Sequence, residues 1–194
     1  MKNIIRVGLL SVSALAAAAA LTTSFTTPSF AEKTVEVGGA AMYPSKNIVE
    51  NAVNSKDHTT LVAAVKAAGL VDTLSGKGPF TVFAPTNAAF EKLPKDTVPT
   101  LLKPENKDKL TGVLTYHVVA GKMSAEDIAG KAKANGGKLE LTTVAGGKIT
   151  LMGDDKGGWW ITDENGGKAK ITIADVFQSN GVIHVIDTVI LPKS

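Results

Sequence analysis

The sequence predicts an α+β domain, and three observations carry that prediction. Between Asn47 and Gly130 apolar residues recur at helical spacing, broken by one strand-like run from Phe80 to Ala84. From Lys138 onward the texture changes to short runs in which apolar and polar residues alternate. Nine glycines between residues 136 and 167 place tight turns between those runs. Helices followed by consecutive antiparallel strands mark α+β, not a doubly wound parallel sheet.

Each element has a local reason. Ile48, Val49, Ala52 and Val53 form a short apolar helical face. Asp57 or Thr59 is placed to cap the next helix, in which Leu61, Ala64, Val65 and Ala68 recur before Gly69 ends it. Pro104 suits a helical first turn, with Leu110, Val113 and Leu114 facing inward. Ser124-Ala-Glu-Asp127 has the form of a capping box, with Asp at its last position. In the second half Leu139 and Leu141 alternate with Glu140 and Thr142, and Ala145-Gly-Gly-Lys148 reads as a hairpin turn leading into Ile149 and Leu151. Trp159 to Thr162, Ala169 to Ile173 and Val182 to Ile190 complete the strands.

Residues 1–31 read as a secretory signal. Lys2 and Arg6 supply the positive start, Val7 to Leu21 a 15-residue alanine-rich apolar stretch, and Ser29-Phe30-Ala31 the small residues of a cleavage site after Ala31. The apolar stretch is shorter than the ~20 residues that span a bilayer. The expected product is exported, has no stable membrane span, and lies in the periplasm, outside the cell or in the cell envelope. Residues 32–42 read as a short N-terminal extension.

Composition excludes several function classes. Without cysteine there is no disulfide framework, thiolate nucleophile or cysteine metal site. His58, His117 and His184 stand 59 and 67 residues apart, so no local histidine pair is available for a metal. Beyond the leader, 19 basic residues meet 18 acidic ones, a balance without the basic footprint of nucleic-acid binding. No nucleophile elbow, phosphate loop or dinucleotide fingerprint occurs, so the chain is read as no enzyme, with no cofactor and no metal. His184 and Asp187 lie three apart on an extended segment and point to opposite faces, which excludes a simple dyad. Solvated turns account for the clusters Asp154-Asp155 and Asp163-Glu164-Asn165.

Four features keep a functional alternative beside the structural one. Trp159 and Trp160 are adjacent on a strand, so one ring enters the core while the other reaches the surface, where it could contact a ligand or partner. His117 and His184 each sit in apolar surroundings that favour a hydrogen-bonded structural histidine.

Two segments are more specific. Thr81-Val-Phe-Ala-Pro-Thr-Asn-Ala-Ala-Phe90 resembles the first signature of fasciclin domains, and Asn180-Gly-Val-Ile-His-Val-Ile-Asp-Thr-Val-Ile-Leu-Pro192 resembles the second. Tyr116-His117 stands where that family has a tyrosine–histidine motif, and order and spacing agree over residues 43–192. The resemblance implies a single exported domain of bacterial type. Its fold would be a wedge-shaped, seven-stranded β-sandwich with several helices packed on one side. Thr86, Asn87, His184 and Asp187 are then structural signature residues, with Thr86 or Asn87 capping the helix that carries Phe90. Asn87 stands where the family usually has an acid.

The implied role is non-catalytic: cell adhesion or surface and matrix recognition, through weak contacts with a protein or polysaccharide. In animal relatives the tyrosine–histidine region and a short Asp-Ile motif before the second signature are associated with integrins. Here the latter place reads Ile173-Ala-Asp-Val-Phe177. Tyr116, His117, Asp175, Val176 and Phe177 are the partner-binding candidates. A single domain would gain avidity through weak homo-oligomers or a multivalent surface. The alternative is a secreted carrier of a small apolar ligand, such as a carotenoid or lipid, contacted by Trp159 and Trp160.

Overall fold

A computed structural model describes residues 34–154 and 157–193, which form one compact unit. The leader expected over residues 1–31 lies outside them. Among the described residues no helix is long and apolar enough to cross a membrane.

The chain enters through a hairpin, β1 (Val35–Val37) and β2 (Ala40–Met42), paired antiparallel with Val37 opposite Ala40. A two-residue loop of this register needs left-handed backbone at both positions, and Gly38 and Gly39 supply it at φ +61° and +73°. The stretch read as an extension is therefore part of the folded unit: Val37 and Met42 are buried in the same core as the helices that follow.

Short helices come next. Helix α1 (Ile48–Ala52) opens with a reciprocal capping box between Asn47 and Glu50. A 3-10 turn (Lys56–His58) leads into α2 (Thr59–Ala68), which ends on left-handed Gly69 as its sequence requires. Helix α3 (Val71–Ser75) precedes strand β3 (Phe80–Pro85). Helices α4 (Asn87–Glu91) and α5 (Thr97–Leu101), a 3-10 turn begun by Pro104, and α6 (Lys107–Tyr116) follow. Strand β4 (Val118–Ala120) leaves α6, and α7 (Ala125–Ala134) starts on the Ser124–Asp127 capping box.

The remaining strands are β5 (Lys138–Thr142), β6 (Lys148–Gly153), β7 (Trp159–Thr162), β8 (Lys168–Gln178) and β9 (Gly181–Ile186). They join β3 and β4 in one seven-stranded sheet of order β4-β3-β9-β8-β7-β6-β5. Every pair is antiparallel except β3 with β9, which run parallel, a pairing that the long connection between them permits. Two register shifts along β8, around Ile173, bend the sheet. The fold-over is sharp enough that Val144, just past β5, donates its amide to the Val118 carbonyl of β4 at 2.8 Å. A single sheet thus supplies both layers of the expected wedge, and its edges nearly close.

Two cores result. On one face of β3 and β9, Val82, Ala84, Ile183 and Val185 pack under Ile48, Leu61, Val65, Leu110 and Leu114 from the helices. On the other, inside the fold-over, Phe83 and Ile186 meet Tyr116, Ile149, Leu151, Ile161 and Ala169, with Ile128 and Ala132 of α7 closing one side. All six residues of β9 are buried, so its apolar run serves both faces.

Candidate functional site

The residues singled out in the sequence fall into two groups, one holding the frame together and one reaching solvent. Tyr116 and His117 belong to the frame. Tyr116 is fully buried; its hydroxyl donates to the Lys148 carbonyl at 2.6 Å and accepts the Glu164 amide at 3.2 Å. Burial raises its pKa, with the Glu164 amide opposing. Gly147 is the partner this ring demands, since a Cβ there would lie 2.7 Å from Tyr116 Cε2.

His117 is 3% exposed and caps α6. The Ile190 amide donates to its Nε2 at 3.2 Å, which makes Nε2 the acceptor and leaves Nδ1–H to donate to the Val113 carbonyl at 2.8 Å. Burial pushes its pKa down to about 4, against smaller opposing effects from the Val113 carbonyl and the Asp163 charge. The ring is buried, and both of its nitrogens are engaged in hydrogen bonds.

The second candidate cluster divides. Asp175 sits on the β8 irregularity with φ +59°, the left-handed region that aspartate enters more readily than most residues. Its carboxylate accepts the Ala125 amide at 2.7 Å, at the first turn of α7, while its own amide donates to His184 Nδ1 at 3.3 Å. His184, fully buried, donates Nε2–H to the Met123 carbonyl at 2.9 Å and stacks on Phe83 with ring centres 5.7 Å apart. This chain of contacts locks β8, β9 and the start of α7 together. Val176 is 1% exposed and belongs to the core under the helices. Phe177 is the most exposed of the five candidates, at 37%, with Lys122 Nζ 4.8 Å from its ring centre.

The signature residues of the first segment separate in an instructive way. Thr86 caps its own helix α4, accepting the Ala89 amide at 3.2 Å. Asn87 instead reaches across to α2: its Oδ1 accepts the Thr60 amide at 3.0 Å, and its Nδ2 donates to the Lys56 carbonyl at 2.8 Å. Neither Asp57 nor Thr59 provides that cap. Asp187 accepts the Lys170 amide at 2.9 Å and the Thr188 hydroxyl at 2.9 Å, and pairs with Lys92 at 3.4 Å. Burial alone would raise its pKa, but these partners together hold it below the usual value.

Sequence reading missed Asn180 as a junction. Its Oδ1 accepts the Ile48 amide at 3.0 Å, and its Nδ2 donates to the carbonyls of Leu74 and Gly76 at 2.8 and 2.9 Å. Its position at the head of the second signature was the available signal. Asn51 likewise bridges the Gln178 side chain and both backbone polar groups of Tyr43; one asparagine in an amphipathic helix carries no such signal.

The tryptophans part as strand alternation requires. Trp159 turns inward and packs partly buried against the fold-over core. Trp160 turns outward, its indole N–H donating to Asp154 at 3.2 Å and Lys170 Nζ lying 5.8 Å from its ring centre. Beneath the helices an apolar cavity of about 60 Å³ is lined by residues that include Ile48, Leu61, Val82, His58 and His117. Typical small-molecule sites run to several hundred Å³, so this space holds no preformed seat for a carotenoid-sized ligand. Among the described residues no three His, Asp or Glu side chains gather into a metal site.

A curled mixed sheet under small helices, pinned by two signatures and a buried tyrosine–histidine pair, defines the class of domain. The chain belongs to the fasciclin family: the Fasciclin domain model matches residues 56–192. It is 49% identical over 162 residues to protein sll1483 of Synechocystis, covering 83% of this chain and 82% of that one. It is 36% identical over 165 residues to cell surface glycolipoprotein MPB83 of Mycobacterium bovis, covering 81% of this chain and 64% of the relative. Its fold matches the solved FAS1 domain pair of the insect cell adhesion molecule Fasciclin I. The TM-score is 0.67 and the identity 19%, over 77% of this chain and 52% of the insect chain. The family is in general non-catalytic and adhesion-type.

Proposed function

We propose that this protein is an exported, non-catalytic recognition module that binds a component of the cell surface or surrounding matrix through weak contacts. The observation that carries this is the division within the motif residues. Tyr116, His117, Asp175 and Val176 fix the frame, and the product of that framing is Phe177 held outward beside Lys122. An exposed aromatic on a rigid support loses little conformational entropy on binding, which makes it an anchor. The name of the mycobacterial relative, a cell surface glycolipoprotein, supports the location, and the signal-like leader supports export. Because a single weak site binds poorly, useful adhesion would come from many copies on one surface.

The test is binding of the purified protein to envelope material from the producing cells, followed by interferometry. Phe177→Ala should lower binding severalfold while the melting curve stays where it was. Equal binding by wild type and variant would remove Phe177 from the interface, and no binding at all would sink the recognition reading. Carriage of an apolar ligand is the weaker reading, since the cavity under the helices would first have to open.

A further inference from the structure

The outer face of the second half of the sheet has a composition that the recognition reading leaves unused. Along β5 to β8 the residues Leu139, Ile149, Leu151, Ile161, Ala169 and Ile171 point inward and are buried. Their alternates all reach solvent, and the strand register aligns them in rows. One row runs Lys138, Met152, Trp160, Lys170, and the next Glu140, Thr150, Thr162, Lys168. With strands ~4.8 Å apart, each row is ~14 Å long, the reach of a short oligosaccharide.

Three features of this face point to one chemistry. At its centre lie a half-buried indole and a methionine, a flat apolar patch suited to the C–H face of a sugar ring. Beside them the hydroxyls of Thr150 and Thr162 make no hydrogen bond with any described residue, so both are available to a ligand. Around the rim stand Lys138, Lys148, Lys168 and Lys170, against Glu140, which pairs with Lys148 at 2.7 Å, and Asp154, which holds the Trp160 indole. Beyond the leader the chain carries only one net positive charge, so this concentration of lysine is local. Trp160 is tied down by Asp154 and lies within a rigid sheet, whereas a bilayer-inserting surface needs apolar side chains that protrude.

We propose that the outer face of β5–β8 binds an acidic polysaccharide, with Trp160 stacking on a sugar ring, Thr150 and Thr162 meeting hydroxyls, and Lys138, Lys168 and Lys170 meeting carboxylates. This rests on the recognition reading and gives it a second surface, distinct from Phe177.

The experiment is affinity electrophoresis of the purified protein in native gels containing polygalacturonate, with dextran as the uncharged control. Flotation with phosphatidylglycerol vesicles runs in parallel. Polygalacturonate should retard the protein, dextran should not, and the vesicles should not carry it. Retardation should weaken about tenfold in Trp160→Ala and in Lys168→Ser/Lys170→Ser, and should be unchanged in Phe177→Ala. The lysine variant alters only exposed side chains, so it remains a fair test even where Trp160→Ala melts early. Absence of retardation, retardation that both variants leave intact, or flotation that both variants abolish would overturn the proposal. Should polygalacturonate fail to bind while Phe177→Ala still lowers envelope binding, the recognition reading stands and the sheet face falls.

Discussion

The amide of Ile190 donates to Nε2 of His117 at 3.2 Å, and through this bond the end of α6 holds the segment that leaves β9. The contact joins residues 73 apart in sequence and is buried. Replacing His117 by Ala leaves the Ile190 amide and Val113 carbonyl unsatisfied and opens a cavity. Such a change should cost about 2–4 kcal/mol and lower the melting temperature clearly, as differential scanning calorimetry would register. An unmoved melting curve with lost envelope binding would instead make His117 a contact residue.

The same histidine makes stability depend on pH. Its folded pKa, about 4, lies below the unfolded value of 6.5, so between these values the unfolded chain binds the proton more readily. Its contribution is therefore complete above pH 6.5 and falls as pH drops toward 4, by about 3 kcal/mol across the window. Burial lowers the pKa of His58 and His184 as well, which adds to the slope in the same direction. Urea midpoints measured from pH 7 to pH 4.5 should fall steeply, and less steeply in His117→Gln. A flat profile would show that these rings accept protons without penalty.

Asn87 offers a test of capping across elements. Asn87→Ala removes the acceptor for the Thr60 amide at the head of α2 and should cost about 1–2 kcal/mol by chemical denaturation. Asn87→Asp keeps that acceptor and adds a charge favourable to the helix dipole, but loses the donor to the Lys56 carbonyl. Its loss should be the smaller of the two. An equal loss would mean that the Lys56 bond, not the cap, is what matters.

Asp175 separates conformation from charge. Asp175→Asn retains tolerance of the left-handed backbone and an acceptor for the Ala125 amide, so stability should change by less than ~1 kcal/mol. Asp175→Ala loses both and should cost about 2 kcal/mol. If the Asn variant keeps its stability but loses envelope binding, the carboxylate charge reaches the partner.

Gly181→Ala should be the most damaging of these changes. A Cβ there would come 2.2 Å from the Phe80 carbonyl oxygen, and both atoms belong to the central pair β3 and β9. Separating two core strands to admit a methyl group should cost about 4 kcal/mol or more, read as loss of soluble folded protein. Gly181 follows Asn180, a pairing that in sequence suits a turn. Its φ is not in the left-handed region, and close approach of two backbones is its reason.

What the sequence determined by itself was whatever depends on near neighbours. Alternation of Leu139, Leu141, Ile149 and Leu151 was enough for a hairpin, Gly69 for the end of α2, and Ser124 with Asp127 for the start of α7, because capping and side-chain facing are set within a few residues. The two signatures and Tyr116-His117 were enough for the family. The tertiary structure alone decided the rest. That β3 and β9 pair in parallel, that β8 bends around Ile173, and that Asn87 caps a helix other than its own depend on residues far apart in the chain. It alone also decided which motif residues meet solvent. Val176 vanishes into the core under the helices while its neighbour Phe177 emerges, since facing in a curled sheet follows from the bend, and the bend comes from long-range packing.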